Sequence, residues 1–474
     1  MAAESGHLCA AVVPLGYGAG KEQIWRGRWL KSRPPNKEDM RNQFHYLIRG
    51  TGLFALTLTL STAVLGEDWP RFRGPTGQGI STDANLLLHW GLSQNLAWRT
   101  PIPGSGWSSP IVFGDHVFLT STTDEGTSCH VISVDVNIGK VLWDIEVFRQ
   151  TPTRKEGKNS YATPTPVTDG KLVYAFFSGG GAVAVSFDGK IAWTNTSNSY
   201  YSQHGLGASP LLYHDLLIMP FDWSSPTGEP RVGWQIPWDK SFVLALDKNT
   251  GQVRYKATRG QSRIGHITPN VVEVDGKPQL VSAAGDVVEG FEPLTGERLW
   301  WAYNGGEAVV PSLVFGDGLV FSSSGFPTQF GKQPIYAAIR AFRLGGKGDV
   351  TATNLVWEEK KAVPMIPSFL FADHLLFTVK EDGMAQCFEA ASGNLLWRHR
   401  LEGTYSASPI EAAGRIYFLS DAGTTTVIEL GREFKILAVN ALEGPCQASP
   451  AASNGRLFIR SRSDLFCVTD KAGR

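Results

Sequence analysis

The apolar positions of this chain fall in short runs rather than long stripes. Ile111-Val112-Phe113, Val117-Phe118-Leu119, Leu172-Val173-Tyr174, Leu319-Val320-Phe321 and Leu457-Phe458-Ile459 are rich in β-branched and aromatic side chains. Turn residues punctuate them: Gly114-Asp115, Asp169-Gly170, Gly316-Asp317 and Asn454-Gly455. Branched and aromatic side chains pack well on a pleated surface, and Gly, Asn and Asp accept the backbone of a tight hairpin. The pattern therefore predicts short antiparallel strands. Few windows carry apolar residues at a 3.6-residue period, which predicts little helix.

These strands belong to a repeat. A proline in a small-residue setting leads into a strand eight times, at Ser109-Pro110, Thr163-Pro164, Ser209-Pro210, Thr268-Pro269, Pro311-Ser312, Pro367-Ser368, Ser408-Pro409 and Ser449-Pro450. Successive prolines lie 54, 46, 59, 42, 56, 42 and 41 residues apart. Strand-rich units of about 40 to 60 residues are the signature of a β-propeller. A third, small and apolar strand follows in each unit, as in Val131-Ile132-Ser133-Val134 or Phe242-Val243-Leu244-Ala245-Leu246. A turn glycine then precedes a large aromatic by four residues, at Gly139/Trp143, Gly189/Trp193, Gly251/Tyr255, Gly296/Trp300 and Gly393/Trp397. Glycine supplies the positive φ of a turn with a bulge, and the aromatic falls on the outer strand, facing the gap between blades.

The last unit stops at Asp470-Lys471-Ala472-Gly473, on the turn that should precede its outer strand. Leu96-Ala97-Trp98 belongs to no complete unit and supplies that strand, which leaves no open edge at the junction. The expected fold is all-β: an eight-bladed β-propeller of four-stranded blades over residues 96–474, closed by an N-terminal strand near Trp98. An extended segment, residues 67–95, precedes it. Gly74, Gly77 and Gly79 match GxGxxG only loosely, with no strand and helix around them, and read as a flexible approach.

The closing phrases Asp247-Lys248-Asn249-Thr250-Gly251 and Pro293-Leu294-Thr295-Gly296-Glu297-Arg298-Leu299-Trp300 resemble the tryptophan-docking repeat of pyrroloquinoline-quinone-type (PQQ-type) propellers. That superfamily includes quinoprotein alcohol dehydrogenases and the non-catalytic outer-membrane assembly factor BamB. Asp68-Trp69-Pro70-Arg71-Phe72-Arg73-Gly74-Pro75 is further similar to the start of secreted PQQ-like repeat proteins of planctomycete-type bacteria. The resemblance implies the fold strongly and the function weakly. In the dehydrogenases it implies PQQ and calcium in a central funnel, an adjacent cysteine pair, a catalytic Asp and Glu/Asn/Asp metal ligands. This chain has no Cys-Cys, its propeller leaves little room for the long insertions that build those sites, and no catalytic Asp or calcium-ligand set aligns with it. GxSxG, HExxH and GK[ST] motifs are also absent.

Charge and the N-terminus narrow the setting. The first 66 residues carry eight basic and four acidic side chains, leaving 36 basic and 40 acidic in the rest, which is no footprint for nucleic acid. From Met40, Arg41 and Arg49 precede the apolar stretch Thr51–Thr62, and small residues follow up to Gly66. This resembles a secretory signal over residues 40–66 and is short for a membrane span. Residues 1–39 then form an upstream extension, with Met40 the expected start. The expected location is periplasmic or secreted, with no transmembrane span in the mature chain. Cys446 and Cys467 share the last unit and are either paired in an oxidising compartment or buried thiols.

Candidate chemistry gathers where the repeat is least regular. Tyr200, Tyr201, Gln203 and His204 precede Ser209-Pro210, and Arg263 and His266 stand at the corresponding place before Thr268-Pro269. Tyr201, His204, Arg263 and His266 either converge on one mouth of the funnel, where they would hold an anionic or carbohydrate-like ligand, or bond neighbouring loops. The insertion from Phe221 to Ser241 carries Trp223, Trp234 and Trp238, either as an exposed grip or folded back as a cap. A second insertion spans Gly325 to Pro334, and Asn195-Thr196-Ser197 fits a glycosylation sequon. The expected function is a non-catalytic scaffold for a protein or cell-envelope ligand, with no cofactor. The alternatives are a PQQ- and calcium-dependent oxidoreductase and a carbohydrate-binding propeller.

Overall fold

A computed structural model describes residues 67–326 and 336–470. The extension over 1–39, the signal segment over 40–66 and most of the Gly325–Pro334 insertion lie outside the described residues. The described chain forms eight antiparallel sheets. Blade 1 takes Ile111–Phe113, His116–Thr123, Ser128–Asp135 and Val141–Arg149 in sequence order. Blades 2 to 7 begin at Val167–Thr168, Leu211–Tyr213, Asn270–Val274, Val314–Gly316, Leu370–Ala372 and Ile410–Ala412. Blade 4 also gains a two-residue parallel strand, Gly348–Asp349, against Trp300 and Trp301. Helix among the described residues is one α-turn, Thr351–Asn354, and one 3-10 turn, Asp124–Gly126.

Blade 8 closes the ring as expected. Ala451–Ser453, Arg456–Arg460 and Asp464–Val468 are completed by Leu96–Pro101, with Trp98 opposite Cys467. The two ends of the described propeller thus share one sheet, and unfolding of either must break the same ladder.

The glycine-to-aromatic spacing works between blades. The aromatic of one outer strand is seated by the turn glycine of the next blade: Trp98 on Gly139, Trp143 on Gly189, Trp193 on Gly251, Tyr255 on Gly296 and Trp357 on Gly393. A Cβ at Gly139 would stand 2.5 Å from the Trp98 ring, so only glycine leaves room there, and its φ of 70° suits it. Each ring also donates a hydrogen bond across the gap. Trp98 reaches Val136 O at 3.1 Å, Trp143 reaches Phe187 O at 2.7 Å and Trp193 reaches Lys248 O at 2.8 Å. Tyr255 reaches Pro293 O and Trp357 reaches Ala390 O, both at 2.8 Å. The predicted bulges occur beside these turns, as between Ser133 and Val134. Trp300 departs from the pattern and donates instead to Gln279 at 2.7 Å.

Residues 67–95 form a strap across one end of the ring, not a flexible approach. Trp69 is fully buried and pairs with Val112 of blade 1, and Pro70 O accepts from Thr168 N of blade 2. Arg71 donates to Asn270 of blade 4, Gln78 accepts from Phe315 N of blade 5, and Arg73 donates to Phe369 O, at the start of blade 6. Ser81 N donates to Glu411 O of blade 7, and Ser453 of blade 8 donates to Glu67 O. These side-chain and main-chain bonds fix the glycines in place. Cys129, Cys387 and Cys446 are buried free thiols, so the Cys446–Cys467 pair is not formed.

Candidate funnel and its mouth

The repeated phrase places a hydroxyl in the same position of every blade. Ser109 N donates to Thr165 Oγ1, Thr165 N to Ser209 Oγ, Ser209 N to Thr268 Oγ1 and Thr268 N to Ser312 Oγ. Ser312 N, Ser368 N and Ser408 N continue to Ser368, Ser408 and Ser449. All seven bonds measure 2.9–3.1 Å. Blade by blade, the ring steps 56, 44, 59, 44, 56, 40 and 41 residues along the chain.

This changes the reading of the repeat. In blade 2 the ring residue is Thr165, before Pro166, and not Thr163 of Thr163-Pro164. In blades 5 and 6 proline precedes the serine rather than following it. The hydroxyl, not the proline, is the invariant part of the phrase in this chain, because it caps a neighbouring amide that the first strand leaves unpaired.

All eight ring residues line one cavity of about 630 Å³. Phe72, carried by the strap, reaches the same cavity and forms part of its floor at that end. Trp107, His204, Trp234, His266, Glu307 and Phe326 are also in its wall, with Glu156 and Lys158.

Of the sequence candidates, His204, His266 and Trp234 therefore meet at the funnel. The two imidazoles have ring centroids 6.0 Å apart, and Trp234 stands edge-on to His204 at 5.5 Å. His266 has both ring nitrogens without a protein partner, as do His204 Nδ1 and Trp234 Nε1. Burial, with a smaller push from His204, lowers the His266 pKa to about 3, and burial also lowers that of His204. Both rings are neutral near pH 7, each offering one N–H and one acceptor nitrogen.

The other candidates are placed elsewhere. Arg263 is an ion-pair residue: Nη1 meets Asp286 at 2.8 Å and Nε donates to Gln235 O. Tyr201 lies outside the funnel wall, its carbonyl accepting from Ser224 N at 2.9 Å. Trp223 and Trp238 pack on each other at 5.1 Å and bond Lys240 O and Ser241, so the insertion is folded back on the propeller with Trp234 inward. Sequence reasoning missed Phe72, which no repeat position marks, and also Trp107 and Glu307, which stand two and five residues before their ring hydroxyls just as His266 and His204 do.

The neutral His266 has a measurable consequence. An unfolded histidine takes up a proton below about 6.5, whereas folded His266 does so only near 3. Between those values the folded state binds fewer protons, so its stability falls as pH drops through that window. Going from pH 7 to about pH 5 should cost about 2 kcal/mol from this residue. Urea denaturation of wild type and His266→Gln at both pH values checks this. Equal pH slopes in the two proteins would rule the assignment out.

Hydroxyl ring, docked aromatics and shared closing sheet together define a tryptophan-docked propeller of eight blades. Within that class the chain resembles PQQ-type, BamB-like repeat proteins. The family described as outer membrane protein assembly factor BamB matches residues 79–207 and 346–433. Among curated proteins none matches the chain by sequence. The crystal structure of BamB from Moraxella catarrhalis is similar over 79% of this chain and 97% of its own, with a TM-score of 0.54 and 13% identity. The computationally designed Ika8 protein is similar over 78% and 99%, with a TM-score of 0.51 and 13% identity. The quinohemoprotein alcohol dehydrogenase from Comamonas testosteroni is similar over 84% and 80%, with a TM-score of 0.43 and 11% identity. At such identities the likeness concerns the fold. Among the described residues no group of three or more His, Cys, Asp or Glu side chains is placed to hold a metal ion.

Proposed function

We propose that this chain is an exported, non-catalytic propeller that holds a protein or cell-envelope ligand at the mouth of its central funnel. The observation that carries this reading is a cavity of about 630 Å³ floored in part by Phe72 and walled at its mouth by buried polar groups without protein partners. Buried polar groups in folded chains are hydrogen-bonded almost without exception, so an unpartnered cluster facing a cavity fits a ligand site. The family description, an outer membrane assembly factor, agrees with an envelope setting. No described helix is long and apolar enough to cross a membrane.

Capture from envelope extracts, with wild type and Trp234→Ala as parallel baits, tests the reading. A ligand retained by wild type and lost by the variant supports it. Stoichiometric uptake of PQQ with calcium, accompanied by dye reduction with alcohols or sugars, would replace it with the oxidoreductase alternative.

A further inference from the structure

Resting on that reading, we infer that the funnel binds a neutral saccharide unit, seated against Trp234 and hydrogen-bonded by His204, His266 and the hydroxyl ring. The polar groups of the wall are uncharged donors for the most part. Each ring hydroxyl from Thr165 to Ser449 accepts a backbone N–H from the blade before it. Its own O–H proton is left to point elsewhere, and no hydrogen bond among the described residues uses one of these hydroxyls as donor. Trp234 Nε1 adds a further unpartnered donor, and the neutral His266, only 6% exposed, adds a donor and an acceptor.

A ligand matching this wall must be rich in oxygen acceptors and must present apolar faces to aromatic rings. The rings are there: Trp107, Trp234, Phe326 and Phe72 line the same space. An anion fits poorly. Lys158 is drawn to Asp421 at 3.8 Å, Glu156 and Glu307 stand in the wall, and the imidazoles bring no positive charge near pH 7. An apolar ligand fits poorly too, because it would leave the donors desolvated and unbonded, at about 1–3 kcal/mol for each. Hydroxyls and ring oxygens on a pyranose, with C–H faces that stack on indole, answer both requirements. The cavity lies within the size range of small-molecule sites, so it takes a short sugar or the end of a longer glycan.

Isothermal titration with a panel of neutral mono- and disaccharides tests the inference, and affinity electrophoresis in gels containing neutral polysaccharide separates a free sugar from a glycan end. Binding by wild type is expected, weakened about tenfold or more in Trp234→Ala. His266→Gln is a second probe, buried like the original and able to donate and accept, and Trp234→Phe keeps a ring while removing the N–H. Matched circular dichroism melts show that each variant is folded. The inference falls if no saccharide binds, or if binding is unchanged in both Trp234→Ala and His266→Gln. If saccharides fail while an envelope protein is captured in a Trp234-dependent way, the saccharide inference alone falls. If PQQ and calcium are turned over, the binding reading falls with it.

Discussion

Replacing Arg259 with leucine is expected to destabilise the propeller by about 3–5 kcal/mol, the range for removing one partner of a buried ion pair. Arg259 and its partners are fully buried. Its guanidinium grips both oxygens of Asp222, donates to Glu289 at 2.9 Å and to Ser282 at 2.8 Å. Asp222 is the root of the tryptophan insertion, whereas Ser282 and Glu289 belong to blade 4. One side chain therefore ties the insertion carrying Trp234 to the neighbouring blade. Leucine would leave the buried Asp222 without its cation and Glu289 with only the half-buried Arg298 as partner.

The pH dependence identifies the cause. Burial already pushes Asp222 up to about 7 and raises Glu289, with Arg259 opposing both shifts. Without the arginine, both carboxyls stay protonated to higher pH in the folded state than in the unfolded chain. The folded variant then binds more protons, so its stability falls as pH rises. The deficit relative to wild type should be larger at pH 8 than at pH 5, by chemical denaturation at each. An equal deficit at both would attribute the loss to packing rather than to stranded charge.

Trp69→Ala is expected to cost about 3–5 kcal/mol, as for truncating a large buried aromatic. Trp69 is fully buried, and its main chain pairs with Val112 in both directions at 2.8 and 2.9 Å. It pins the strap three residues ahead of Phe72, so its loss should also loosen the funnel floor. Thermal melts measure the first effect. Limited proteolysis in the strap, faster in the variant, measures the second. A variant that melts with wild type and resists cleavage equally would show that the strap is held without Trp69.

The propeller was legible because its rules are local. A turn glycine and an aromatic four residues on recur whatever the loops do, and Trp98 stood out as a docking aromatic without a unit of its own. Trp357 escaped the spacing because the turn Thr351–Asn354 replaces the expected glycine phrase before it. The hydroxyl ring was half visible: proline marked the phrase, yet the bonding atom is the serine or threonine oxygen, which shows only when neighbouring blades meet. The strap was invisible as structure, since its partners are distant. Ser453 meets Glu67 across 386 residues, and no periodicity records that. At the mouth, His204 and His266 could be placed from their repeat positions. Arg263 occupies a similar position and turned away, because Asp286, 23 residues on, neutralises it in the next blade.

The central claim is that ligands enter at the mouth opposite the strap. A photo-crosslinking residue placed at Gln447, in the funnel wall, and another at the exposed Thr82, on the strap, test it in envelope extracts. The account predicts a specific adduct from position 447, suppressed by Trp234→Ala, and none from position 82. An adduct from position 82 alone, or equal adducts insensitive to Trp234, would contradict it.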